Sequence, residues 1–184
     1  MRSEEVKPVR RIVTVDGKDG RSKAIADGPS PDVQTDPARP GYAATRIWVT
    51  DRTPARINGE SETLHLPHTI EPPRGGSVCR IFTIPPDASW QGRAGTKEVR
   101  TYFEAAGSPG ASTASPKAPH PYMQKTQTLD FCLVLEGEIT LVLDQQEVQL
   151  AAGDTVVQRG TNHAWSNRSG RPCRIAISSH DAAP

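Results

Sequence analysis

Two stretches decide the fold. The first is Asp130-Phe-Cys-Leu-Val-Leu-Glu-Gly137, and the second is Gly153-Asp154-Thr-Val-Val-Gln-Arg-Gly160-Thr-Asn-His163-Ala-Trp165-Ser-Asn167. Apolar runs end at glycine or at Gly-Asp, as in strands punctuated by turns. Around them, 129–135 and 138–143 read as strands joined at Glu136-Gly137, an apparent hairpin. Turns at 144–146 and 152–154 bound a short strand at 148–150, and 155–158, 164–167 and 173–178 complete the set. Short strands at this frequency predict a sandwich or barrel.

Upstream the signals thin out. Residues 10–15 (Arg-Arg-Ile-Val-Thr-Val) form a strand candidate, 26–41 is rich in Pro, Asp and Gly and reads as a loop, and 42–50 and 77–84 are strands. Residues 96–106 give the one helix: Thr96 is a candidate cap, Glu98 lies in the first turn, and Val99, Tyr102 and Phe103 share a face. Residues 107–119, mostly Gly, Ser, Ala and Pro, read as a mobile surface loop or lid. The expected organisation is an N-terminal arm over 1–40, with a strand and a Pro-rich loop, then a single domain over 41–184 whose barrel core spans 119–178.

Registered together, the two quoted stretches resemble the paired motifs of the cupin superfamily. One motif runs from Gly through His-x-His and Glu to Gly, the other from Gly-Asp through Pro-x-Gly to His and Asn. The run from Met123 to Asn167 is similar to a subgroup of small single-barrel cupins that share Val-Val-Gln-Arg-Gly-Thr-x-His-Ala-Trp. The resemblance implies an all-β fold, a double-stranded β-helix or jelly-roll barrel with one or two short helices. It also implies a homodimer paired through sheet edges, with the strand at 10–15 available to add across the pair.

The same register shows what is missing. Gln124 and Thr126 stand at the two His positions of the first motif, Asp130 at its Glu, Ala118 at its opening Gly, and His163 at the second-motif His. Three imidazoles and a carboxylate would hold a divalent transition metal; Gln124, Asp130 and His163 offer one amide oxygen, one carboxylate and one imidazole. Cofactor use is therefore open between none and a divalent metal on those three residues.

Without a metal, the resemblance puts His163 and Asp130 inside a barrel as a catalytic pair. Asp130 is placed to orient the imidazole or raise its pKa for acid/base work of lyase, isomerase, cyclase or decarboxylase type. The substrate would be a small organic molecule, aromatic or polyketide-like in one version. Gln124 and Thr126 share strand parity, as do Asp130, Cys132 and Val134, and Trp165 follows His163 on one face. These residues, with Arg159 and His120 at the mouth, form the expected substrate-binding set. Two other readings stay open: a metal-dependent oxygenase with an atypical ligand set, and a non-catalytic small-molecule-binding cupin.

Charge and composition narrow the partners. Lys and Arg total 22 against 21 Asp and Glu, a formal charge of +1 that supplies no electrostatic footprint for nucleic acid. Basic residues near the N-terminus alternate with Glu4, Glu5, Asp16 and Asp19, as on a solvated segment. Cys79, Cys132 and Cys173 are odd in number and far apart, so neither a disulfide framework nor a zinc knuckle is expected. With no long apolar run, the expectation is a cytoplasmic protein without membrane contact.

Overall fold

In the computed structural model, which describes residues 6–58 and 61–184, the chain is a β protein with one α-helix. Glu4 and Glu5 lie outside the described residues. The strands are β1 (Arg10–Asp16), β2 (Ser22–Pro29), β3 (Val33–Thr35), β4 (Ala43–Thr50), β5 (Ser77–Ile84), β6 (Thr128–Glu136), β7 (Glu138–Leu143), β8 (Glu147–Ala151), β9 (Thr155–Arg159), β10 (His163–Ser166) and β11 (Cys173–Asp181). They form a six-stranded antiparallel sheet in the order β3-β4-β5-β11-β6-β9, a three-stranded sheet β10-β7-β8, and a separate β1-β2 hairpin. One core joins the two larger sheets: Ala44, Ile84, Cys132, Val134 and Ile175 from the first meet Ile139, Leu141 and Leu150 from the second. This is the expected jelly-roll barrel.

The helix α1 (Thr96–Ala105) closes one side of the core with Val99, Tyr102 and Phe103, the face read from the sequence. Its cap falls on Gly95 rather than Thr96. The Gly95 N–H donates to the Glu98 carboxylate at 3.1 Å, so the first-turn acid satisfies the free amide at the helix start.

Three expectations need correction. Glu136-Gly137 is not a hairpin, because β6 pairs with β11 and β9 while β7 pairs with β10 and β8. The turn is a corner at which the chain leaves one sheet for the other, and Ala152-Gly153-Asp154 does the same between β8 and β9. Residues 26–41 are not all loop: they hold the end of β2 and all of β3. Backbone pairing to β1 and β4 orders β2 and β3, whose side chains are mostly exposed and carry no apolar alternation.

The third correction concerns residues 107–119. This segment is anchored rather than mobile: Ala111 is 1% exposed, Thr113 N–H donates to the Met123 carbonyl at 3.0 Å, and Lys125 N–H to the Ala111 carbonyl at 2.8 Å. The Ser108 hydroxyl donates to Glu71 and accepts from Ile70 N–H.

The corner glycines differ in what surrounds them. Gly137 has φ +82°, and a Cβ there would lie 3.0 Å from the Pro172 carbonyl oxygen; Gly153 has φ +96° with open space around it. Gly153→Ala should therefore cost only the backbone penalty, about 1–2 kcal/mol, and Gly137→Ala about 1 kcal/mol more. Urea unfolding of both variants checks the order.

Candidate functional site

The site begins with a backbone bridge. Gln124 N–H donates to the His163 carbonyl at 2.8 Å, and His163 N–H to the Gln124 carbonyl at 2.9 Å. This antiparallel pair sets the Gln124 side chain beside the imidazole, with Gln124 Nε2 3.3 Å from His163 Nε2. On the other side of the ring, Nδ1 lies 2.9 Å from the Thr161 carbonyl oxygen. A carbonyl can only accept, so Nδ1 carries the hydrogen, and Nε2 of the neutral ring offers its lone pair to the Gln124 amide. His163 is 3% exposed. Burial pulls its pKa below the ordinary histidine value, against the Thr161 bond and the charge of Asp130.

Asp130 lies on β6 between Gln158 of β9 and Ser179 of β11. Burial raises its pKa, opposed by the Thr128 and Ser179 hydroxyls and more weakly by the charges of His163 and Arg80. Its Oδ1 has no hydrogen-bond partner. Of the two roles expected for Asp130, orienting the ring falls to the Thr161 carbonyl instead, while the carboxylate does push the His163 pKa upward, by less than desolvation lowers it.

A cavity of about 70 Å³ reaches this bridge through Gln124, while His163 and Asp130 are not themselves part of its wall. Gln124 and Trp165 belong to its wall, with Ala44, Phe82, Ile84 and Ile177 from the six-stranded sheet. The Trp165 ring meets the His163 ring edge-on at 6.0 Å between centroids. The other residues expected in the substrate-binding set stand elsewhere. Thr126 is buried with its hydroxyl 2.7 Å from that of Thr128. Cys132 and Val134 face inward as their parity required, but are packed into the core, and burial raises the Cys132 thiol to about 12. Arg159 is exposed on β9. His120 is buried against Trp90 and Tyr122, where its Nδ1 accepts from Tyr122 N–H at 3.1 Å.

The sequence reading missed the polar end of the cavity, formed by Gln34, Arg39, Tyr42, His68, Arg80, Tyr102 and Tyr122. Arg39 donates from Nε to Asp36 at 2.7 Å, and its guanidinium carbon sits 3.6 Å from the centre of the Tyr122 ring and 3.9 Å from that of Tyr42. Tyr122 donates its hydroxyl to the same Asp36 oxygen at 2.8 Å, and the Tyr42 and Tyr102 hydroxyls share one bond at 2.6 Å. Arg80 donates to the backbone carbonyls of Ile70 and Thr69, and burial lowers its pKa to about 10, leaving it a cation at neutral pH. Parity could have found Arg80, since Val78, Arg80, Phe82 and Ile84 alternate along one strand face. No local signal marks Arg39, whose surroundings come from four separate segments.

The metal site implied by the resemblance does not fit these residues. His163 is the one imidazole of the implied ligand set, Gln124 brings an amide where a second imidazole would stand, and no carboxylate lies within 4 Å of His163 among the described residues. Among those residues no three His, Cys, Asp or Glu side chains converge as a ligand group.

The fold is that of a cupin barrel. The Cupin domain family model matches residues 108–179. A protein called Phomopsin biosynthesis cluster protein C′, from Diaporthe leptostromiformis, is 33% identical over 144 residues, 73% of this chain and 69% of its own length. A cupin-domain-containing oxidoreductase, virC, from Hypocrea virens, is 29% identical over 69% of this chain, which spans about half (51%) of that protein. Among solved structures, a putative ethanolamine utilization protein from Salmonella typhimurium covers 96% of this chain and 99% of its own at 11% identity and a TM-score of 0.46. The chain belongs to the cupin family.

His120 provides a test of the electrostatics. Burial, aided by the charges of Arg39 and Arg168, lowers its pKa to about 4, so between the unfolded value and that point the unfolded chain binds the extra proton. Its contribution to stability is therefore intact above about pH 6.5 and falls by about 3 kcal/mol as pH drops toward 4. Asp87, 3.8 Å away and raised by burial, offsets part of the loss at the acidic end. Replacing His120 with Gln should flatten the slope of unfolding free energy over that window, as read from urea titrations at stepped pH.

Proposed function

We propose that this cupin is an enzyme of secondary metabolism that moves a proton on a small organic substrate, in a lyase, isomerase, cyclase or decarboxylase type of reaction. The observation that carries the reading is the bare Nε2 of His163, whose partner Gln124 is itself part of the cavity wall. Two relatives support the setting: the phomopsin cluster protein by the cluster in its name, and virC by being named an enzyme.

The chemistry follows from the tautomer. With its pKa held below the ordinary value, His163 is neutral near pH 7 and able to accept a proton at Nε2. A substrate entering the cavity displaces the Gln124 amide from that nitrogen, and the amide then orients the substrate by hydrogen bonding. Proton transfer makes an imidazolium whose Nδ1–H remains on the Thr161 carbonyl, while the Asp130 charge favours the cation. Trp165 gives a flat wall against which an aromatic or polyketide-like ring would stack.

Location and assembly remain part of this proposal. Among the described residues no helix is long and apolar enough to cross a membrane. All three cysteines are free thiols, in keeping with a cytoplasmic protein. Exposed Phe131, Leu133, Leu135 and Val157 on the outer face of β6 and β9 are consistent with a homodimer.

The test is conversion, or deuterium incorporation at an acidic C–H, when a panel of small 1,3-dicarbonyl and hydroxyaromatic acids is incubated with the protein in D₂O and followed by NMR. His163→Gln should slow the reaction by a factor on the order of 10² or more. Full activity in that variant contradicts the mechanism, and binding of panel members without exchange or conversion favours a non-catalytic binder.

A further inference from the structure

We infer that the polar end of the cavity is a carboxylate-binding site, so that the substrate is a small organic acid. The inference deepens the acid/base reading and rests on it for the assumption that the cavity beside His163 is where the substrate sits.

Hydrogen-bond accounting is the first support. Buried donors in proteins almost always have acceptors. Arg39 Nη2, Gln34 Nε2 and Trp165 Nε1 are buried donors with none, and all three residues line this one cavity. The Tyr42–Tyr102 pair contributes a fourth donor: two hydroxyls share a single bond, so one of their two hydrogens is left over. Two of these four, on Arg39 and Trp165, are N–H groups that cannot turn into acceptors, and the unpartnered His68 ring adds one donor and one acceptor, so the wall is biased towards a ligand that accepts.

Charge makes the choice between a neutral carbonyl and an anion. Arg39 is balanced by Asp36, 2.7 Å away and 2% exposed at its side chain, and Arg46 by Asp32 at 2.6 Å. Arg80 is bonded to two backbone carbonyls, and among the described residues no carboxylate lies within 4 Å of it. The wall therefore holds one cation with no carboxylate in contact, Asp32 and Asp130 acting on it only from a longer range. Burying such a charge is costly unless an anion joins it. His68, held neutral by burial and by the charge of Arg80, adds no second one.

Shape limits the anion. A cavity of about 70 Å³, where one water needs roughly 10–15 Å³ by the same measure, has room for a handful of heavy atoms. A carboxylate head fits that space, and its two coplanar oxygens suit a guanidinium edge with flanking N–H donors. The rest of the acid would extend along Trp165 and Phe82 towards Gln124 and His163, which brings its neighbouring carbon toward the proposed base.

The experiment uses the full chain with acetate, pyruvate and benzoate, each against a neutral amide of the same skeleton, and with inorganic phosphate. Ligand-observed NMR and thermal shift at pH 7 are the readouts. The carboxylates should bind about tenfold or more tightly than their amides. Trp165→Phe, Tyr102→Phe and Gln34→Leu each remove one donor and keep most of the bulk, and each should weaken carboxylate binding enough to narrow its advantage over the amide about three- to tenfold. Arg39→Met should abolish the preference where it folds; the three milder variants decide the matter where it does not.

Equal binding of amides and carboxylates, tighter binding of phosphate, or carboxylate binding indifferent to all three milder variants would overturn the inference. His163→Gln should leave carboxylate binding within about twofold. A failure of the proton-transfer reading would thus appear in conversion with the carboxylate preference intact, and a failure of this inference would appear in binding with the effect of His163→Gln on conversion intact.

Discussion

The two backbone bonds between Gln124 and His163 are the constraint on which the rest of the site depends. They tie the strap that follows the helix to the first residue of β10, and so bring a side chain from outside the regular strands against the imidazole. The strap is held in turn by Thr113 and Lys125, whose amides bond to Met123 and Ala111, and by the buried Ala111. Because the bridge fixes both residues, the amide of Gln124 has little choice but to face Nε2, and the ring has little choice but to donate from Nδ1 to Thr161. The pairing sets Gln124 beside the ring and in the cavity wall, while the Thr161 carbonyl sets the tautomer and burial lowers the pKa.

A second consequence concerns the barrel's chemistry. The fold offers an enclosed position for a ligand group, and this chain fills it with an amide, a carboxylate set apart and a single imidazole. Such a set offers a transition ion a single nitrogen donor and no soft one, but it preserves what general-base catalysis needs: a neutral imidazole, desolvated and fixed in one tautomer. Positive charge has moved to the opposite end of the cavity, on Arg39 and Arg80. The aromatic cage around Arg39 links the N-terminal segment, β4, the helix and the strap through Tyr42, Tyr102 and Tyr122. It binds the additions to the barrel together as well as edging the cavity.

The sequence carried the barrel where apolar alternation is strong, as in β5, β6 and β7, and carried the inward parity of Asp130, Cys132 and Val134. It did not carry β2 and β3, which are ordered by backbone pairing with exposed side chains, nor the difference between a hairpin and a corner, since a glycine turn looks the same in either. His163 was legible from its motif, but its partner was not. The choice of Thr161 over Asp130 rests on a loop geometry that no spacing encodes. Arg80 could have been singled out as a charge on an apolar strand face, whereas Arg39 acquires its meaning only when residues 36, 42, 102 and 122 converge.

The central claim is that His163 presents a bare, neutral Nε2 to the Gln124 amide rather than serving as a metal ligand. Long-range ¹H–¹⁵N spectra of uniformly labelled protein, recorded across pH 5 to 8 and then with equimolar Zn²⁺ at pH 7, address it directly. The expected result is the Nδ1–H tautomer, a midpoint below the ordinary histidine value of about 6.5, and no change of the His163 nitrogens on adding metal. An Nε2–H tautomer, a midpoint above that value, or a zinc-induced shift of Nε2 would contradict it.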